Sequence, residues 1–421
     1  MAAPNPHPMR TRIPNGGTRL RSFLAYAGRF PFRFAMHSIF LWMACMFSAA
    51  LANTGSSHDR PTTGPPEGIL DVTARPLTRD QARALRDADS LLIMIPGVNS
   101  GDPDERYSFL NHVRRQGRQE VAIFYDWEEG NWARKMASPS AIQPAVARLI
   151  TLCESFMQGA GDRKTIDLLA HSAGTVVVNQ AAIAIVQNGS SLRFRHVLLL
   201  GTALDAEEPL SGLKSVSHGV LNVHSAYDAV NRNINDKMGQ LNALEGRTHR
   251  NLSMDRSLGG RIMRHHAFLS SNPENWFQYG TYLSGGEWPQ PDPAIPGEDR
   301  PPGEFHRLTL WVRDRPDEAH SEVRARLPQW LGHSSPPIRY YAVILAGLLN
   351  ERPLGPVMQA LLEDEQTPPY LRKEIYQALG NFKDGTYIDF LQSSRQFDRA
   401  CDEEIRDILR ALKRQRVEAI R

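Results

Sequence analysis

Thr165-Ile-Asp-Leu-Leu-Ala-His-Ser-Ala-Gly174 is an apolar run that breaks into a serine flanked by small residues. The run has the length and composition of a strand buried on both faces, and the break predicts a tight turn into a helix. Such a turn strains the backbone at Ser172. Bulky side chains at Ala170 and Gly174 would collide with the neighbouring strand or helix. The reading predicts a helix from Ala173 to Asn188, closed by Gly189, although Thr175-Val-Val-Val178 favours a strand by propensity. Propensity is the weaker signal where a helix is central and buried.

The surrounding pattern repeats the same grammar. Strands are expected at Ile69–Ala74, Leu91–Ile95, Val121–Tyr125, Ile166–Leu169, Val197–Leu200 and Val220–His224. Helices are expected over Thr78–Ala88, capped by its threonine, Tyr107–Gln116, Ala141–Gln158 and Asn272–Leu283. Solid apolar runs separated by helices predict a doubly wound α/β domain with a mostly parallel sheet covered on both faces.

Six prolines between Gly285 and Gly303 mark a boundary at residues 285–303, beyond which residues 304–421 are purely helical in pattern. Ile338–Gly347 and Leu371–Gly380 superpose at an offset of 33, each preceded by a Pro-Pro pair. Second amphipathic segments follow at Leu354–Leu362 and Tyr387–Leu391, and a weaker third copy begins near Glu404. Helix pairs at this period resemble HEAT-type repeats, which stack into a small solenoid.

The formal charge of +3 is misleading, because residues 1–52 hold six arginines with no lysine or acid. Without them 43 basic residues face 46 acidic ones, and nothing suggests a nucleic-acid partner. The basic leader runs into the apolar segment Ala35–Ala52, which ends Ala50-Leu51-Ala52. This predicts a signal peptide cleaved before Asn53, or else an uncleaved membrane anchor. The protein is therefore expected to be exported, periplasmic or secreted, and to meet the membrane only through that segment. Residues 53–68 read as a tether, and residues 69–284 as the α/β domain. Cys153 and Cys401, the cysteines beyond the leader, read as buried free thiols, with a single bridge between the two domains as the alternative.

A serine nucleophile needs a base, an acid to orient that base, and donors for an oxyanion. In α/β-hydrolases, whose nucleophile elbow the turn at Ser172 resembles, these groups lie at strand ends in the order nucleophile, acid, histidine. After Ser172, the acid is best placed at Asp228 in Asn222-Val-His-Ser-Ala-Tyr-Asp228, with Asp205 after the preceding strand as its rival. The histidine is best placed in Arg264-His-His-Ala-Phe-Leu269, at His265 or its neighbour His266. His171 and His224 read as packing residues. Backbone amides of Ala173 and of Val98, in the Pro96–Gly101 loop, are the candidate oxyanion donors.

On these residues, 69–284 resemble an α/β-hydrolase. They are especially similar to bacterial hydrolases with a Gly-Asn loop after the third strand, a tryptophan after the fourth and an A-H-S-x-G elbow. Here those are Gly97-Val-Asn99, Phe124-Tyr-Asp-Trp127 and Ala170–Gly174. Pro96 stands where such relatives often carry histidine, and Glu128-Glu129 where they usually carry Pro-Ser. The resemblance implies a serine hydrolase acting on a small-molecule or lipid-like acyl substrate. No GxGxxG, Walker loop or CxxC is present, and neither metal nor organic cofactor is expected. The alternatives are an acyltransferase or amidase with the same triad, and a degenerate scaffold binding a protein partner through its repeats.

Overall fold

Among the described residues of the computed structural model, seven strands pair in a single all-parallel sheet of order β1-β3-β2-β4-β5-β6-β7. They are β1 Ile69–Val72, β2 Ser90–Ile95, β3 Val121–Tyr125, β4 Thr165–His171, β5 Phe194–Leu200, β6 Ser217–His224 and β7 His249–Ser253. The structure describes residues 65–72, 77–97, 103–127, 139–158, 163–230, 239–297, 299–382 and 386–420. The chain divides into two units, Met1–Pro61 and Thr62–Arg421, and every described residue lies in the second. The leader, Val98 and Glu128-Glu129 fall outside the described residues.

Consecutive strand residues point to opposite faces, and both faces are dry. Leu91, Ile93, Ile95, Ile166, Leu168 and Ala170 lie in one apolar cluster, while Leu92, Met94 and Leu169 lie in the other. The first cluster is covered by α1 Arg79–Asp87, α3 Pro139–Met157, α4 Gly174–Gln187 and α5 Ser211–Val216. The second is covered by α2 Pro103–Gln116 and α6 Pro273–Gly285, through Phe109, Val113, Tyr279 and Leu283. Each fully buried leucine or isoleucine contributes roughly 1.5–3 kcal/mol relative to exposure, so the central strands are the stable part of the fold. Thr78 closes a capping box with Gln81 at the start of α1. The Thr175–Val178 run is helical because Val177 and Val178 fill the first cluster, which outweighs their strand preference.

The described residues continue into a helical region: α7 Pro302–Arg313, α8 Ser321–Leu331, α9 Pro336–Leu348, α10 Gly355–Glu363, α11 Pro369–Asn381, α12 Ile388–Phe397 and α13 Asp402–Ile420. Helices α7, α9, α11 and α13 pack in succession, with α8 against α9, α10 against α11 and α12 against α13. Gly347 of α9 and Gly380 of α11, 33 residues apart, mark matching close approaches. An added Cβ would meet Ala378 Cα at 3.1 Å in the first case and Ile408 Cγ2 at 2.2 Å in the second. Helix α6, which covers the sheet, packs on α7 and so joins the helical stack to it. Cys153 and Cys401 are both buried and free, and burial raises both thiols, Cys401 to about 12.

Candidate active site

Chain order reverses across β2. β3 lies on one side of it and β4 on the other, so the carboxyl ends of β2 and β4 flank a switch point. Crevices at such points are where α/β sheets bind ligands. Ser172 stands there, immediately after β4, with φ of 51°. A positive φ is uncommon for a residue with a side chain and costs of order 1–3 kcal/mol, so the surroundings must hold it.

They do so with hydrogen bonds on both sides of the residue. The Ser172 amide donates to the Leu200 carbonyl at 3.0 Å, tying the turn to the end of β5. The Ser172 carbonyl accepts from the Thr175 amide at 3.0 Å and from the Thr175 hydroxyl at 2.6 Å. That hydroxyl also accepts from the Ala203 amide at 3.1 Å, so the loop after β5 is pinned to the elbow. Gly174 has no room for a side chain, since a Cβ would fall 2.2 Å from the Ile95 carbonyl oxygen. Gly97 is as tightly placed, with an added Cβ 2.6 Å from Ser172 Cβ. The loop after β2 therefore lies directly on the serine. Ala173 is buried and caps the start of α4, where helical amides lack partners within the helix and attract negative charge.

Asp228 lies in the turn after β6 and is fully buried, while His265 opens a short 3-10 turn, His265–Leu269, before α6. The His265 Nδ1–H donates to Asp228 Oδ2 at 2.8 Å. The other oxygen, Oδ1, accepts from the Val230 amide at 3.0 Å, which fixes the carboxylate plane. An ionised carboxylate only accepts, so Nδ1 carries the proton and Nε2 keeps its lone pair. Of the adjacent histidines, His265 faces this acid and His266 is exposed. Asp205 is also exposed, and its Oδ1 accepts from the Glu207 amide at 2.9 Å within its own turn.

Three contributors were not legible as such in the sequence. His171 is more than packing: its Nε2–H donates to the His265 carbonyl at 3.1 Å, and the two rings lie 4.6 Å apart. Burial and the neighbouring His265 push its pKa well below the ordinary histidine value, so it remains a neutral donor. Since His171 precedes Ser172, this bond ties the elbow to the histidine turn. Gly201, at φ 50°, passes so near the pair that a Cβ would lie 3.1 Å from Asp228 Oδ2 and 3.2 Å from His265 Nδ1. Trp127 is buried and donates its indole N–H to the Pro96 carbonyl at 2.7 Å, bracing the loop that covers Ser172. The position of His171 in the elbow was the available signal for the first of these, and the Phe124-Tyr-Asp-Trp127 motif for the third. Val98, whose amide is the second candidate oxyanion donor, lies outside the described residues. Among the described residues no group of three or more His, Cys, Asp or Glu side chains converges as a metal site. Among them, too, no helix is long and apolar enough to cross a membrane.

No family model and no curated protein matches the chain. Among solved structures it is similar to a fungal esterase from Rhizomucor miehei, at 11% identity and a TM-score of 0.30, over 48% of this chain and 75% of that one.

Proposed function

We propose that this protein is an exported serine hydrolase of the α/β-hydrolase kind that cleaves a carboxylic ester or related acyl bond. The observation that carries the reading is the buried His265–Asp228 hydrogen bond of 2.8 Å, joined through His171 to a serine held at positive φ. A carboxylate buried against Nδ1 fixes the tautomer and orientation of the ring, so that Nε2 is the nitrogen left to take a proton.

In this reading His265 Nε2 removes the proton from Ser172 as its Oγ attacks the acyl carbon. Charge develops on the carbonyl oxygen, and the Ala173 and Val98 amides receive it. The imidazolium, held by Asp228, returns its proton to the leaving alkoxide, and the acyl group stays on Ser172. Water then attacks the acyl-enzyme with His265 again as base, releasing the acid and restoring the serine. The substrate is a small-molecule or lipid-like acyl compound, and no step calls on a cofactor.

The stacked helices α7–α13 are proposed to be HEAT-like repeats, supported by the matching approaches at Gly347 and Gly380. Export rests on the basic leader and the Ala50-Leu51-Ala52 segment. The test is labelling with a fluorophosphonate probe. Wild type should be modified and Ser172→Ala should not; equal modification of both would sink the mechanism.

A further inference from the structure

Between β7 and His265 the chain folds back on itself over residues 254–264. The Ser257 amide donates to the Arg261 carbonyl at 2.8 Å and the Met263 amide to the Asp255 carbonyl at 3.0 Å, while Arg256 and Ile262 pair as an antiparallel bridge. The tip of this loop does not end in solvent. Leu258 is buried in the apolar cluster of the C-terminal helices. The Asn381 side-chain amide donates to the Gly259 carbonyl at 3.1 Å, and an added Cβ at Gly259 would sit 1.5 Å from Glu374 Oε1.

Charge reinforces the grip. Arg261 Nε lies 2.9 Å from Glu374 Oε2, and the Glu374 side chain is fully buried. Arg264, the residue before His265, pairs with both Glu403 and Asp407 of α13. An isolated surface ion pair contributes little, but these anchors share one eleven-residue loop with an apolar plug. At the base of the loop, Asp255 Oδ1 accepts from the Ala226 amide at 2.7 Å, two residues before Asp228. The same loop thus touches the turn that carries the acid and leads directly into the histidine.

We propose that the loop of residues 254–264 is a positioning device for the His265–Asp228 pair, that the C-terminal helices hold it in place, and that Arg264 is a positioning residue for His265. The proposal rests on the hydrolase reading above and assigns the helical region a role inside that reaction. A general base must sit within hydrogen-bond reach of the proton it takes. The helices therefore act on the reaction through this loop.

The test uses the full chain and a fluorophosphonate probe, separating the maximal inactivation rate from the probe's half-saturating concentration. Arg264→Ala, and independently Glu403→Gln combined with Asp407→Asn, should slow the maximal rate roughly ten- to a hundredfold with half-saturation unchanged. Arg264→Lys should recover part of the loss, and the pH midpoint of the inactivation rate should move in the slowed variants. The Glu403 and Asp407 changes lie at a helix surface and keep the test valid if Arg264→Ala folds poorly. A wild-type rate and pH profile in either the Arg264→Ala protein or the double variant overturns the proposal, whatever their melting temperatures. So does a loss that follows thermal stability alone with no shift in pH midpoint. If wild type is not labelled at Ser172, the hydrolase reading falls and this proposal with it; Ser172-dependent labelling that ignores Arg264 overturns only the proposal.

Discussion

Trp127, just beyond β3, donates its indole N–H to the Pro96 carbonyl at 2.7 Å, and the next residue, Gly97, lies against Ser172. A residue 45 positions before the serine in the sequence therefore braces the loop that covers it. Trp127→Phe would keep the apolar bulk and leave the Pro96 carbonyl without this donor. The expected cost is about 1–3 kcal/mol of stability, read from urea denaturation, together with slower fluorophosphonate labelling. Unchanged stability and labelling would show that the bond does not brace the loop.

Asp228→Asn should replace an acceptor with an amide that can also donate, and so disturb the His265 tautomer. Labelling of Ser172 is expected to slow by roughly 10³–10⁴. Asp205→Asn should label at the wild-type rate, because that side chain is exposed and bonded within its own turn. The reverse pattern would move the acid to Asp205.

His265→Asn should abolish labelling, whereas His266→Asn should leave most of it, since His266 is exposed and His265 faces the buried acid. Comparable losses in both variants would mean that the adjacent ring also takes part in proton transfer.

Gly174→Ala places a methyl group 2.2 Å from the Ile95 carbonyl oxygen, a backbone atom that cannot swing away. The strand and helix must separate, at an expected cost of about 1–3 kcal/mol. A chemical-denaturation midpoint equal to that of wild type would refute the close packing.

Stability should also fall as pH rises through the acid-to-neutral range. Glu274, fully buried, is pushed up from its ordinary 4.5 to about 7 by burial and by the charge of Glu374. Glu374 is raised as well, by burial, although Arg261 opposes the shift. A carboxyl whose folded pKa exceeds its unfolded one binds its proton more tightly when folded. Its contribution is complete below about 4.5 and is lost as pH climbs through about 7. Glu274→Gln keeps the size without the titration and should flatten the curve over that interval. Denaturation midpoints between pH 4.5 and 8 that slope alike in both proteins would contradict this.

Most of the sheet was legible because its strands are buried on both faces and announce themselves as unbroken apolar runs. Strand β7 was not, since His249-Arg-Asn-Leu-Ser253 lies at the sheet edge, half-buried, with neither a solid run nor clean alternation. The short helix α5 escaped for want of a period, its six residues making too few turns to show one. The separate helices α7 and α8 were hidden within a stretch read only as generally helical. The central strands came out longer than expected, β4 reaching His171 and β5 starting at Phe194, because flanking polar residues pair along the ladder as well as apolar ones do.

The sequence by itself determined the turn at Ser172, because a strand, a serine between small residues and a helix are local features that need no distant partner. It also narrowed the proposed acid to two carboxylates and the proposed base to two neighbouring histidines, through their positions after successive strands. Which carboxylate meets which ring was decided only by the tertiary structure. Asp228 and His265 are 37 residues apart, and their meeting depends on the parallel register of β5, β6 and β7 and on where the loop of residues 254–264 delivers the chain. That loop is in turn gripped by Glu374, Asn381, Glu403 and Asp407. No pattern local to the histidine records those contacts, because they exist only once the helices have stacked.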